Sequence, residues 1–313
     1  MTISILVTGA TGKQGGGVVN ALLAEDSTTD VEILAVTRNP DSASAQKLAA
    51  KSPKIKLVKG DLDEPNALLD TAKEVSSTGA VWGVFSVQPS AAEGASLENE
   101  VTQGKGLIDA SITHNVTHFV YSSVDRGGET ASAENATNVP HFITKHRIEQ
   151  YLFERTSSLG VNMSWTVLRT VFFFDNLVPN FFGKVCATAW DAYLQGRPLQ
   201  AIAVSDIGVF AAKAFLQYHD PRFRNQCLSL AGDELTFEGM QAVFQEKTGG
   251  PMPTTYSVLM YFVMWMVGDL RTMFVWFYEH GFKIDFAKLR AIHPGLKDLG
   301  TWLEEESEFV TKK

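Results

Sequence analysis

Cysteine is almost absent: the 313 residues include only Cys186 and Cys227. Two thiols so far apart form no C-x-x-C motif, and in an intracellular chain they read as free buried thiols with no chemical role. The seven histidines are scattered, none in H-E-x-x-H and none beside a cysteine at ligand spacing, so no metal site is expected. G-x-S-x-G, the nucleophile elbow of serine hydrolases, does not occur. Basic excess is lacking too. With a net charge of −8, the surface lacks the positive field that phosphate-backbone binding draws on, and direct nucleic-acid binding is not expected. No apolar run reaches the ~18 residues of a spanning helix. Tyr256 to Val267 comes nearest, but Gly268, Asp269 and Arg271 interrupt it, and it reads as a buried helix. The N-terminus has no basic n-region and no small-residue cleavage site, so no signal peptide is expected. The N-x-S/T matches at Asn115, Asn135 and Asn162 are then chance, and the expected compartment is the cytoplasm.

What the chain does contain is 45% hydrophobic and 20% charged residues, enough for a sizeable core, arranged as strand-length apolar runs alternating with helical stretches. The runs are Ile3 to Val7, Val31 to Val36, Ile55 to Val58, Ala80 to Val87, His118 to Ser122 and Met163 to Leu168. Near-continuous apolar strands with helix-length connections predict an α/β fold, a doubly wound parallel sheet covered on both faces. Ser42 to Ala50 and Glu98 to His114 supply two of the helices. Asp125 to Val139, rich in Gly, Ala, Thr, Glu and Asn, reads as a mobile surface loop. Beyond Arg169 aromatics crowd together, in Phe172 to Phe174, Phe181-Phe182 and Tyr256 to Tyr278. The expected organisation is a dinucleotide-binding domain over 1–158, with further sheet strands from about 163–170 and 199–230. A second, smaller and mostly helical domain over 171–198 and 231–313 would meet a substrate or partner.

Gly9-x-x-Gly12-x-x-Gly15 directly follows the first strand and opens a helical stretch, Gly15 to Ala24. That context makes it the phosphate turn of a Rossmann unit: glycine permits the turn and a close backbone approach, and the helix N-terminus offers unpaired N–H groups and partial positive charge. Gly9, Thr11, Gly12, Lys13, Gln14 and Gly15 are therefore cofactor-binding candidates. A P-loop is excluded, because Gln14 follows Lys13 and the earlier glycine is missing. Where an NAD enzyme places an acid at the end of the second strand, this chain has Val36-Thr37-Arg38-Asn39. The Arg38 guanidinium suits a 2′-phosphate, so the expected cofactor is NADP(H). After the third strand, Asp61 could contact adenine or cap the next helix; Leu62 beside it and Ser86, within the fourth apolar run, are further cofactor-binding candidates.

These segments, with Glu100 to Lys105, His118 to Ser123, His141 to Lys145, Leu168-Arg169 and the closing Pro294 to Leu303 stretch, resemble the NmrA-like family. That family is an atypical branch of the short-chain dehydrogenase/reductase superfamily, and the resemblance spans most of the chain. It implies an NAD(P)-binding Rossmann half and a cleft used for a substrate or a partner. Family members are either reductases of small molecules or dinucleotide sensors that bind transcriptional or signalling proteins.

Ordinary short-chain dehydrogenases place Tyr and Lys at i and i+4 of one helix, the lysine lowering the tyrosine pKa for proton transfer. Here the tyrosine position is His141, while Lys145 remains. The resemblance makes Lys145 a ribose anchor and acid–base candidate. His141 is a second proton donor or a packing residue. Ser123, with Ser122, stands where the superfamily's active-site serine would be, and Phe172 is expected to wall the nicotinamide pocket. The Tyr256 to Tyr278 block reads first as second-domain core, leaving open a lipophilic substrate cleft or a self-association surface, hence a homodimer. The reading is an NADPH-dependent oxidoreductase acting on a small apolar or aromatic carbonyl or conjugated substrate. The alternative is a non-catalytic NADP(H) redox sensor bound to a regulatory protein, which could also be nuclear.

Overall fold

The computed structural model describes residues 2–25, 28–89 and 96–310. In chain order the elements begin β1 (Thr2–Val7), α1 (Lys13–Ala24), β2 (Asp30–Thr37), α2 (Ala43–Ala49), β3 (Ile55–Lys59), α3 (Pro65–Val75), β4 (Gly83–Ser86) and α4 (Leu97–Thr113). There follow β5 (His118–Val124), α5 (Glu129–Glu134), α6 (Pro140–Thr156), β6 (Ser164–Thr170), β7 (Phe172–Phe173), α7 (Phe181–Leu194), β8 (Leu199–Ile202), α8 (Val204–Leu216), β9 (Gln226–Leu230) and β10 (Asp233–Leu235). The chain closes with α9 (Phe237–Thr248), α10 (Ser257–Met266), α11 (Gly268–Glu279), α12 (Phe286–Ile292) and α13 (Leu299–Glu305). Two compact units emerge. The first is Met1–Ser123, Thr144–Arg169 and Ile207–Leu228; the second is Val124–Ile143, Thr170–Asp206 and Ser229–Lys313.

A seven-stranded sheet runs in the order β3-β2-β1-β4-β5-β6-β9. β1 pairs in parallel with both β2 and β4, so the chain reverses its direction of winding there, and the crevice of a Rossmann sheet opens at that point. Alternation sends Leu6, Leu34, Val36 and Val58 to one face, where Leu68, Leu69, Leu107, Ile108, Ile148 and Leu152 from α3, α4 and α6 cover them. Ile5 and Ile33 are equally buried on the opposite face. Local chemistry sets the helix starts: Ser42 and Ser96 accept from Ala45 N and Asn99 N at the heads of α2 and α4, and Pro65 opens α3.

His118 illustrates how dry this sheet is. Its ring lies between Ser164 Oγ, 2.8 Å from Nδ1, and Thr166 Oγ1, 3.0 Å from Nε2. Burial, helped by the charge of Arg224, lowers its pKa to about 3. The unfolded chain binds this proton near pH 6.5 and the folded chain does not, so this contribution to stability is whole above pH 6.5 and is lost as pH falls toward 3. Urea unfolding of wild type and His118→Gln at pH 7 and pH 4.5 should show the wild type losing on the order of 2–3 kcal/mol more than the variant. Equal losses would contradict the burial of a neutral imidazole.

Three expectations are corrected. The strand expected from Leu199 forms, but it pairs with β7 and β10 in a separate three-stranded sheet and does not extend the main one. Asp125 to Val139 is not a simple surface loop. Asp125 is fully buried and accepts from Gly127 N, Gly128 N, Ser132 Oγ and Ser229 Oγ, and buried Arg126 donates to the carbonyls of Val124, Ser132 and Asn135, with α5 between. Polar composition hid a segment that is ordered by its own charged side chains. The helix over Tyr256–Val267 forms as α10, but it is not buried: only Met260 and Met264 are covered, while Tyr256, Val258 and Trp265 are more than two-thirds exposed. An all-apolar helix is buried only where neighbours reach every side of it. No single described helix is long and apolar enough to cross a membrane.

Candidate functional site

In the first unit, the carboxyl ends of β1, β2, β3 and β4 bring most of the predicted residues to one edge of the sheet. Gly9 has φ +59°, and Gly12 N donates to Gly9 O at 2.9 Å, closing the turn. A Cβ on Gly15 would lie 2.3 Å from Gly9 O and 2.5 Å from Thr8 O, so only glycine lets α1 start this close to the strand. Gly12 caps α1 with no side-chain hydrogen bond and no acid in the first turn. Gly9, Thr11, Gly12 and Lys13 are exposed around this helix end. The cradle is thus shaped by missing side chains and open toward solvent, as an anion seated on backbone N–H groups requires.

Arg38 follows β2, whose Thr37 pairs with Lys59 of β3. It is exposed, and among the described residues it forms no ion pair. Asp61 does not cap α3, whose cap is Glu64; its Oδ1 accepts from Asp63 N at 3.1 Å in a turn. Leu62 packs partly against the sheet core. Ser86 is fully buried, with Oγ 2.8 Å from Gln88 Nε2. The turn is braced against β4 by Thr8, whose Oγ1 donates to Val87 O and accepts from Val87 N at 2.8 Å.

Gln14 links the turn to the catalytic candidates. Ser122 Oγ donates to Gln14 Oε1 at 2.5 Å, and Lys145 Nζ donates to Ser122 O at 3.4 Å. Lys145 also forms an ion pair of 3.2 Å with Glu100, whose carboxylate is 1% exposed and accepts from Thr144 Oγ1 at 2.8 Å. The ammonium is therefore held between a strand-end carbonyl and a buried carboxylate, over the Tyr121 ring at 5.8 Å. Ser123 points the other way. Its buried hydroxyl donates to Glu149, which pairs with Arg169 at 2.8 Å, so Ser122 and not Ser123 faces the turn. Adjacent strand residues face opposite sides, so of the two serines named from the sequence Ser122 lies beside the turn and Ser123 beneath it.

The second unit holds the rest. His141, one helical turn before Lys145 on α6, has Nδ1 2.8 Å from both carboxylate oxygens of Asp269. Asp269 lies in the first turn of α11. Phe172 is buried with Trp190, Phe274 and Phe277, ring centroids 5.8, 6.2 and 6.4 Å away. It is a buried aromatic core residue of this unit, and its strand position turns it into that cluster. Among the described residues no group of three or more His, Cys, Asp or Glu is placed to hold a metal ion.

Residues 1–302 match the NmrA-like family. The chain belongs to that family. An NmrA-like family domain-containing oxidoreductase, hkm9, of Aspergillus hancockii is 29% identical over 260 residues, 78% of this chain and 72% of that protein. Among solved structures, Citrobacter sp. triphenylmethane reductase complexed with NADP(H) superimposes with a TM-score of 0.67 at 17% identity, over 96% of this chain and 98% of the other. NmrA, a negative transcriptional regulator in complex with NAD, gives 0.69 at 19% identity, over 98% and 95%. These neighbours share the doubly wound Rossmann fold.

Within this NmrA-like chain, sequence reasoning missed Glu100 and Asp269, the acids that hold Lys145 and His141. Glu100 had a signal: it falls on the buried side of an amphipathic helix, where an unpaired acid is not tolerated and a cation must be near. Asp269 registered only as the end of an apolar run.

Proposed function

We propose that the protein is an NADPH-dependent oxidoreductase of a small apolar or aromatic carbonyl or conjugated substrate, working in the cytoplasm. The observation that carries the cofactor half is the uncapped, exposed N-terminus of α1 above Gly9 and Gly12, with Arg38 at the end of the neighbouring strand. Backbone N–H groups of the Gly9–Gly15 turn hold the pyrophosphate, Arg38 takes the 2′-phosphate, and Asp61 and Leu62 border the adenine side. When bound, the nicotinamide supplies the hydride. Lys145, fixed by Glu100 and the Ser122 carbonyl, holds the ribose hydroxyls and provides a proton at Nζ. His141 is a second proton source, with Asp269 fixing its ring through Nδ1.

Cofactor choice is tested by titrating wild type and Arg38→Asp with NADPH and NADH. Loss of the charge-assisted bond, about 1.5–3 kcal/mol, should weaken NADPH roughly ten- to a hundredfold and NADH little. Equal weakening of both rejects the role of Arg38. The reaction is tested by NADPH consumption against quinones, aldehydes and enones.

A second reading is favoured by one feature, the histidine at the usual tyrosine position, engaged by Asp269. In it the chain is an NADP(H) sensor whose cofactor-bound form prefers a regulatory protein. Tight NADPH binding without turnover across the panel would support it.

A further inference from the structure

The largest feature that neither reading uses is α10. Its residues 258, 259, 261, 262, 265 and 266 occupy one arc of the helix and are all apolar or aromatic and exposed. Val258 and Trp265 are both 73% exposed, Phe262 56% and Met266 64%, and Tyr256 just before the helix is 79%. The opposite side is packed by Met260 and Met264, so the fold itself presents this face outward. Its uncovered side chains amount to on the order of 800 Å². Monomeric proteins rarely leave patches beyond a few hundred Å² open to water.

The chemistry of the face discriminates among covers. No charged residue occurs anywhere from 248 to 268. A protein interface of this area would bring several hydrogen bonds and a polar, charged rim. Here the exposed side-chain polar groups of the face are the tips of Tyr256, Tyr261 and Trp265, amphipathic groups that settle at the head-group level of a bilayer. At the α10–α11 break, where the helices bend by 112°, a cleft of about 320 Å³ is lined by Tyr193, Tyr261, Trp265, Arg271 and Val275. It sets one guanidinium beside the apolar face, where a lipid phosphate would lie.

We propose that α10 is an in-plane membrane anchor, lying on a phospholipid surface with Phe262, Trp265 and Met266 in the acyl boundary and Arg271 at the phosphate. It lies on the bilayer and does not span it. The net charge of −8 gives no long-range pull toward anionic lipid. Binding is therefore carried by apolar burial and extends to zwitterionic vesicles.

The test is flotation of the full chain with phosphatidylcholine vesicles at low and high salt. The wild type should float equally at both, and Phe262→Glu/Trp265→Glu should reduce the floated fraction at least about tenfold with unchanged circular dichroism. Should that variant misfold, brominated phosphatidylcholine gives a second readout: tryptophan quenching seen in wild type should largely vanish in Trp265→Phe. Absence of flotation overturns the proposal, as does flotation or quenching unaltered by these substitutions. If vesicles do not bind and sedimentation equilibrium shows a dimer that the double variant abolishes, a second copy covers the face and the lipid proposal fails.

Discussion

Lys145→Met is expected to lower NADPH-dependent turnover by roughly 10²–10⁴-fold, the loss typical of removing a positioned proton donor. Methionine keeps the length of the stem but removes the ammonium that joins Glu100 to the Ser122 carbonyl. Among the described residues Glu100 would then keep the Thr144 hydroxyl and no cation, so folding must be checked alongside the rate. Circular dichroism and a urea midpoint measure the first, and single-turnover oxidation of NADPH the second. A fall in rate at retained folding supports the acid–base role. Activity unaltered in the variant removes Lys145 from the mechanism, and a change in KM alone would leave it as a ribose anchor.

Arg169→Leu should destabilise the fold by about 3–5 kcal/mol. Arg169 and Glu149 are 2% and 0% exposed, joined by Nη2–Oε2 at 2.8 Å and Nε–Oε1 at 3.2 Å, with Ser123 donating to the same carboxylate. Removing the guanidinium leaves a carboxylate beyond the reach of water and without its two-point counter-charge. Glu149→Leu/Arg169→Leu removes both charges and should recover a substantial part of the loss. Guanidinium unfolding of the two singles and the double closes the cycle, and a coupling near zero would show that the pair does not act as a unit. The effect belongs to stability, because Ser123, Glu149 and Arg169 are packed beneath the strand ends and not in the cradle.

The sites that were legible from sequence share a feature: the backbone fixes them. The Gly9–Gly15 turn, its strand before and helix after, and Arg38 beyond the next strand follow from local spacing, because phosphate binding at a helix end uses main-chain groups within seven residues. Which of Ser122 and Ser123 faces the turn depends on strand register, and a residue's neighbours on other strands are invisible locally. Glu100 and Asp269 stand 45 and 128 positions from the residues they hold, Lys145 and His141, and only folding brings them within 3.2 and 2.8 Å.

Sequence by itself determined the doubly wound sheet, the glycine cradle and the place of Arg38, because hydrophobic period and glycine stereochemistry act between near neighbours. Tertiary structure alone decided the partners of Lys145 and His141, the burial of Phe172 and Asp125, and the exposure of α10. Composition states what a side chain prefers, but its surroundings are set by whichever distant segments the packed chain places beside it.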